Sequence, residues 1–291
     1  MSFSHIMLAV LAAAILGLFP LACKLIAQEQ FPPLMMVGIR FLGASIPLLF
    51  MWKRPSIPFR RVLWISVALS AHLLFFMPAI RENVGAGLAS VLTESQVFFT
   101  AILSAIFLGL KIPLRDIYAL IVCFIGILLI GADMGFEGGN FWVFLLLIGS
   151  AFAWAVNNIQ LTSLSEDPTP FVTLSWANAL PIIPFLSASY FLETPAFLKA
   201  IDGFTYAHGI QLLLMSFLGG SVALGLWFYL FRKNNPVHVT SFALLAPFVG
   251  VLAGVIWMNE QFPILSLWGG GLVLSGLVLL QIFHYKARKN P

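Results

Sequence analysis

Apolar runs of about 20 residues, the length that crosses a bilayer as a helix, recur along the whole chain between short polar breaks. Ten are predicted as membrane-spanning helices, at 4–27, 34–52, 62–80, 86–109, 114–132, 141–161, 169–192, 209–230, 237–258 and 264–284. The breaks carry turn chemistry: FPP at 31–33, KRPSIP at 53–58, FEGGN at 136–140, EDPTP at 166–170 and NNP at 234–236. The longest connection, 193–208, has room for a short interfacial turn, and no connection could hold a separate soluble domain.

Composition strengthens this pattern. Of 291 residues, 60% are hydrophobic and 9% charged, whereas a soluble domain carries about 25% charged residues. Lipid must therefore be the solvent. The net charge of +4 forms no basic patch in a soluble segment, so nucleic acid is not an expected partner. Cys23 and Cys123 lie inside apolar runs and read as small buried hydrophobes, not as a disulfide or metal site. No cofactor is expected: Gly269-Gly270-Gly271 falls within a span, with no strand before it and no Lys-Ser after it. The first run lacks a positive leader segment and reads as a retained helix, not a signal peptide.

Charge sets the orientation. Lys53, Arg54, Arg60, Arg61, Lys111, Arg115, Arg232, Lys233, Lys286, Arg288 and Lys289 fall on one set of loops and ends, and only Arg81 and Lys199 on the other. The positive-inside rule makes the first set cytoplasmic, with both termini inside. Glu29, Glu82, Asp133, Glu137, Glu193, Asp202 and Glu260 are then expected to face out.

The chain also repeats. FLGLKIP (107–113) aligns with WMNEQFP (257–263), and LGLFPLACK (16–24) with WAVNNIQLT (154–162). Residues 4–132 and 141–284 then form two units of five spans each. Five is odd, so the second unit enters the membrane inverted relative to the first, the plan of secondary transporters with a site near the midplane.

The stretches PPLMMVGIRFLGASIP (32–47), GAGLASVLTESQVFFTAILSAIFLG (85–109), SAFAWAVNNI (150–159), LPIIPF (180–185) and TSFALLAPFVGVLAGVIWMNEQF (240–262) carry a family resemblance. The sequence resembles the drug/metabolite transporter superfamily, its EamA-type exporters, and among these the exporters of O-acetylserine and cysteine. That resemblance implies an all-α bacterial inner-membrane carrier, with ten helices arranged as two inverted five-helix EamA repeats around a central cavity, exporting amino-acid-like metabolites. Two positions depart from the pattern. Gly109-Leu110 stands where the family often has Gly-Glu, and Glu94 stands where the cysteine-type exporters carry a neutral polar residue.

An ionisable residue inside a span marks a functional site by default. Glu94 reads as the one carboxylate inside a span, about 12 Å deep, and Arg40 lies about 9 Å deep from the same side, at 1.5 Å per residue. Arg40 could bind a substrate carboxylate, and Glu94 an α-amino group or the coupling proton. A static ion pair joining them is the structural alternative. Gln96, Asn157, Asn158, Trp154 and Asn178 complete the candidate binding set, with interhelical glue as the alternative for each amide. His72 could relay protons or be a satisfied core histidine. Lys24 reads as an interfacial cation. Pro181 and Pro247 are candidate helix breaks.

The expected function is a secondary active exporter working by alternating access, coupled to protons or to exchange. Its partners are a small solute and the lipid bilayer; the sequence sets no oligomeric state. A carrier of nucleosides, nucleotide-sugars or drugs is the alternative within transport. A membrane-embedded enzyme would need a cluster of His, Asp or Glu at one interface.

Overall fold

The computed structural model describes residues 2–28, 31–51, 53–82, 84–109, 112–136, 141–162, 167, 169–234, 239, 242–243 and 245–289. Glu29, Lys111, residues 137–140, Glu166 and 235–236 of the NNP turn lie outside them. So does Leu110.

All the described elements are helical. In order they are α1 (Phe3–Gln28), α2 (Pro33–Ser45), α3 (Pro47–Phe50), α4 (Phe59–Arg81), α5 (Ala86–Thr93), α6 (Gln96–Leu108), α7 (Leu114–Phe136) and α8 (Phe141–Thr162). Then come α9 (Pro170–Ala179), α10 (Ile182–Leu192), α11 (Thr194–Asp202), α12 (Tyr206–Phe217), a π-turn at Leu218–Val222, α13 (Ala223–Lys233), α14 (Leu245–Met258) and α15 (Ile264–Lys289). Joined across their breaks, the described residues give nine segments long and apolar enough to span a membrane. The predicted span 237–258 is described in part, as the 14 residues of α14. The connection 193–208 holds more than a turn: α11 is a nine-residue helix.

Prolines open α2 and α9 at a first-turn position, where the missing N–H costs nothing. Gly109 stops α6 in the left-handed conformation, at φ +64°. The two units interleave. α4 packs on α8, α1 and α5 on α14, α2 on α10 and α12, and α7 along α15. Phe41, Phe76, Met77, Ile80, Leu92, Ile130, Leu147 and Leu277 fill the space between helices.

Among the described residues, four spans are discontinuous. Pro47 separates α2 from α3, and Pro181 separates α9 from α10, as expected for a residue without an N–H. The predicted helix at 86–109 is not continuous. Ser95 N–H turns to the Leu92 carbonyl at 3.1 Å and Val97 N–H to the Glu94 carbonyl at 3.1 Å, both tighter i−3 bonds. Thr93 and Ser95 hydroxyls donate back to the carbonyls of Ala89, Ser90 and Leu92, which bends a helix. The Thr-Glu-Ser-Gln run is thus the break itself. The fourth interruption is the π-turn at Leu218–Val222. Pro247 lies near the described start of α14, with residue 244 before it outside the described set.

Glu94 is not the only carboxylate within a span. Asp116 lies in the first turn of α7 beside Arg115, at 3.7 Å. Asp133, expected to face out, is buried near the end of α7, where its Oδ2 accepts from Ser266 N–H (3.1 Å) and from the Ser266 hydroxyl.

Candidate functional site

The predicted site residues separate into two groups. Glu94, Gln96, Trp154 and Asn158 are half-buried; Arg40, His72, Asn157 and Asn178 are buried.

The half-buried group forms a wall on α5, α6 and α8. Asn158 Nδ2 donates to Gln96 Oε1 at 2.9 Å and to Thr100 Oγ1 at 3.1 Å. Neighbouring positions on a helix point about 100° apart, and the asparagines diverge accordingly. Asn158 turns to α6, while Asn157 is 1% exposed and its Oδ1 accepts no hydrogen bond. Glu94 caps the end of α5 at the break, two residues before Gln96 of this network.

Within the buried group, Arg40 and His72 lie on a column of rings. Arg40 Cζ lies 5.7 Å from the Phe19 centroid, a cation–π contact. Phe19 stacks on Phe76 at 5.8 Å, Phe76 on His72 at 5.8 Å, and Trp154 meets His72 edge-on at 4.6 Å. Trp154 therefore belongs to both groups. His72 Nδ1 sits 2.8 Å from Ser150 Oγ and 3.1 Å from the Ser150 carbonyl oxygen, so the ring is packed and hydrogen-bonded.

Arg40 is unlike the others. It is 5% exposed, and its Nε and Nη1 have no hydrogen-bond acceptor. It forms no ion pair with Glu94: the ion pair found among the described residues is Arg115–Asp116. The guanidinium lies against Gly220 in the π-turn, where a Cβ would come within 2.6 Å of Nη1. Only glycine leaves that space, and π-turns concentrate at functional sites. Cys23, a buried free thiol directed at Met215 Sδ (3.5 Å), is in the same region.

Asn178 donates to the Leu174 carbonyl of its own helix at 2.7 Å, beside the Pro181 break. Lys24 Nζ donates to the carbonyls of Ile80 (3.0 Å) and Glu82. It thus caps the C-terminus of α4, where a cation meets the negative end of the helix dipole.

Carboxylates of the second unit cap helices of the first. Glu260 accepts from the N–H groups of Ala86 and Gly87 (3.0 Å to Gly87) at the start of α5. A Cβ at Gly85 would lie 2.7 Å from Glu260 Oε2, so glycine admits the carboxylate. α5 therefore carries one carboxylate at each end. Glu193 accepts from Leu34 N–H at 3.2 Å and from Ser189 Oγ at 2.6 Å, capping α2. At the other end of the molecule, Asp167 accepts from Thr169 N–H (2.8 Å), Thr173 Oγ1 (2.6 Å) and the Ser56 hydroxyl. Burial opposes its charge, but these donors outweigh burial and hold the carboxyl below the usual aspartate range.

Glu260, Ser150, Thr100 and the π-turn did not stand out from the sequence as site components. The Gly-Ala-Gly at 85–87 and the Gly219-Gly220 pair were the available signals, and both read equally well as packing.

No group of three or more His, Cys, Asp or Glu among the described residues could hold a metal ion.

The comparisons bear on the whole chain. The model of the EamA-like transporter family matches residues 3–132 and 141–282. A probable amino-acid metabolite efflux pump of Escherichia coli is 30% identical, covering 97% of this chain and 96% of its own length. Its Salmonella typhimurium counterpart is 28% identical over the same shares. A crystal structure superposes with a TM-score of 0.61 at 15% identity, covering 96% of this chain and 99% of its own, and supports the fold. With both halves matched separately and a relative at this identity over nearly its full length, the chain belongs to the EamA-like transporter family of the drug/metabolite transporter superfamily.

Proposed function

We propose that the protein is a secondary active transporter that exports small amino-acid-like metabolites across the bacterial inner membrane. Its relatives' description as amino-acid metabolite efflux pumps supports the class of cargo. Two inverted five-helix halves, ten spans in all, alternate access to a site between them, and both termini face the cytoplasm.

The observation that carries the reading is Arg40. An unpaired guanidinium held away from water costs several kcal/mol, and an arginine does not shed its proton. The missing counter-charge is supplied by the cargo: a carboxylate oxygen accepts from Nη1, and the two terminal nitrogens of the guanidinium present the planar fork that suits a carboxylate. The half-buried wall of Glu94, Gln96 and Asn158 receives the polar remainder, an ammonium included. Asn157 Oδ1, buried without a donor, is a second open acceptor for it. Glu94, at a helix break inside the membrane, carries the coupling proton, and His72 assists as a relay through the ring column. The breaks beside Glu94, at Pro181 and at the π-turn are where the halves bend as the site changes sides; Pro247 is a further bend.

Reconstitution tests this. Proteoliposomes loaded with labelled cysteine, O-acetylserine or threonine are expected to show saturable efflux that a pH gradient accelerates. Glu94→Gln is expected to keep flux but lose its gradient dependence. Absence of saturable flux for every amino-acid-like solute would overturn the export reading. Unchanged gradient dependence in Glu94→Gln would remove the proton role.

A further inference from the structure

Away from the ring column and the amide wall, a cavity of 570 Å³ opens where the connection between α3 and α4 meets α9. It is lined by Lys53, Arg54, Pro55, Ile57, Phe59 and Trp176. A cavity of this size accommodates an amino-acid-sized solute several times over.

Its construction is specific. Trp176 Nε1 donates to the Lys53 carbonyl at 2.8 Å, which anchors the connection to α9 by its backbone and leaves the Lys53 ammonium unspent. Ser56, in the same connection, is tied to Asp167 and to Thr169 Oγ1 at 3.0 Å. Among the described residues, the carboxylate tied to this connection, Asp167, is therefore occupied by hydroxyl and amide donors. Lys53 and Arg54 are exposed and in no ion pair among the described residues. Arg60 and Arg61, exposed on the first turn of α4, add to the same field. The two cations stand beside the aromatic surfaces of Trp176 and Phe59, an arrangement that suits an anion with an apolar body. By the charge rule this is the cytoplasmic face. Trp176 lies on the half-helix that ends at the Pro181 break, so an occupant touches a segment placed to bend.

We propose that this cavity is a loading vestibule, which concentrates organic anions with a compact apolar portion before they reach Arg40. The proposal rests on the export reading and narrows it: cargo bearing net negative charge is loaded in preference to a zwitterion of the same size. The same two cations could instead hold a lipid phosphate, and the test separates the two sources.

N-acetylserine and O-acetylserine are isomers that differ by one unit of net charge. Each is supplied from the Lys53 face to proteoliposomes of the full chain. Lys53→Gln/Arg54→Gln is expected to raise the half-saturation concentration of N-acetylserine about tenfold at low salt, and that of O-acetylserine by no more than about twofold. The difference is expected to vanish in ~1 M salt, where screening acts within about 3 Å. Equal shifts for both isomers, or none, would overturn the vestibule while leaving the export reading intact. Vesicles with and without phosphatidylglycerol make the second arm. If removing that lipid shifts wild-type half-saturation for both isomers alike and leaves the double variant unmoved, the cations serve a headgroup and the proposal falls. If wild type carries neither isomer, Ile57→Cys decides, because Cys23 and Cys123 are buried. N-acetylserine is then expected to slow labelling of that thiol by an anionic methanethiosulfonate, and no slowing would overturn the vestibule.

Discussion

Two polar regions lie inside the membrane, and they solve the cost of burial in opposite ways. Along the half-buried wall, polar groups satisfy one another: Asn158 donates to Gln96 and Thr100, and Thr93 and Ser95 donate to carbonyls of their own helix. Along the buried column, rings follow one another from Phe19 to Trp154, stacked as far as His72 and edge-on at Trp154, but the charge at the end, Arg40, has two nitrogens with no acceptor. A satisfied network rigidifies; an unsatisfied buried cation is a standing cost. The difference teaches where a ligand belongs. The wall can stand alone, whereas the column is incomplete without an anion.

The largest expected effect breaks the comparison at its unsatisfied end. Arg40→Met should reduce flux of any carboxylate-bearing cargo by about a hundredfold or more, since a charge-assisted fork is worth ~3 kcal/mol. Arg40→Lys should recover little, because an ammonium cannot bind in the same forked geometry. Initial efflux rates from proteoliposomes read both.

Next in size is a change of kind. Glu94→Gln keeps the size and hydrogen-bonding capacity of the break but cannot titrate. Flux measured from pH 5 to 8 should become flat in this variant and slope in wild type.

Outside the membrane, Asp167 offers a satisfied carboxylate for contrast. Asp167→Ala strands the donors of Ser56, Thr169 and Thr173 and should lower stability by about 1.5–3 kcal/mol, seen as a lower thermal midpoint in detergent. Its folded pKa is depressed. Its stabilisation is therefore fully present above the ordinary aspartate value of ~3.9 and lost as pH falls through the lower folded value. The wild-type minus Asp167→Ala difference should hold constant from pH 8 to 5 and shrink only in strong acid.

The smallest effect belongs to the wall. Asn158→Leu removes the donor to Gln96 and Thr100 and should cost about 1 kcal/mol in stability. A larger loss of flux than of stability would place Asn158 in contact with cargo.

Much of this was legible before any coordinates. Span positions followed from runs of apolar residues, because lipid forces the backbone to satisfy itself within helices. Pro181 marked a break because a missing N–H is visible in one letter. The break at Glu94 was hidden. Thr93 and Ser95 interrupt the helix through hydroxyls folded back on carbonyls, and nothing in their letters separates that use from a polar face. Arg40 and Glu94 shared a depth in the sequence, which suggested a pair; depth along a helix carries no information on azimuth, and Arg40 instead faces Phe19 and Gly220. Glu260 read as an outward-facing acid, and its fold back over Ala86 and Gly87 depends on a contact between units that spacing cannot show.

The central claim is that Arg40 is held unpaired for the cargo's anion. The thermal midpoint of Arg40→Met in detergent, set against wild type without any solute, tests it most directly. The variant is expected to melt a few degrees higher, because an unpaired buried charge is replaced by an apolar chain beside Phe19 and Gly220. A lower midpoint would contradict it, and would make Arg40 a structural member of the fold.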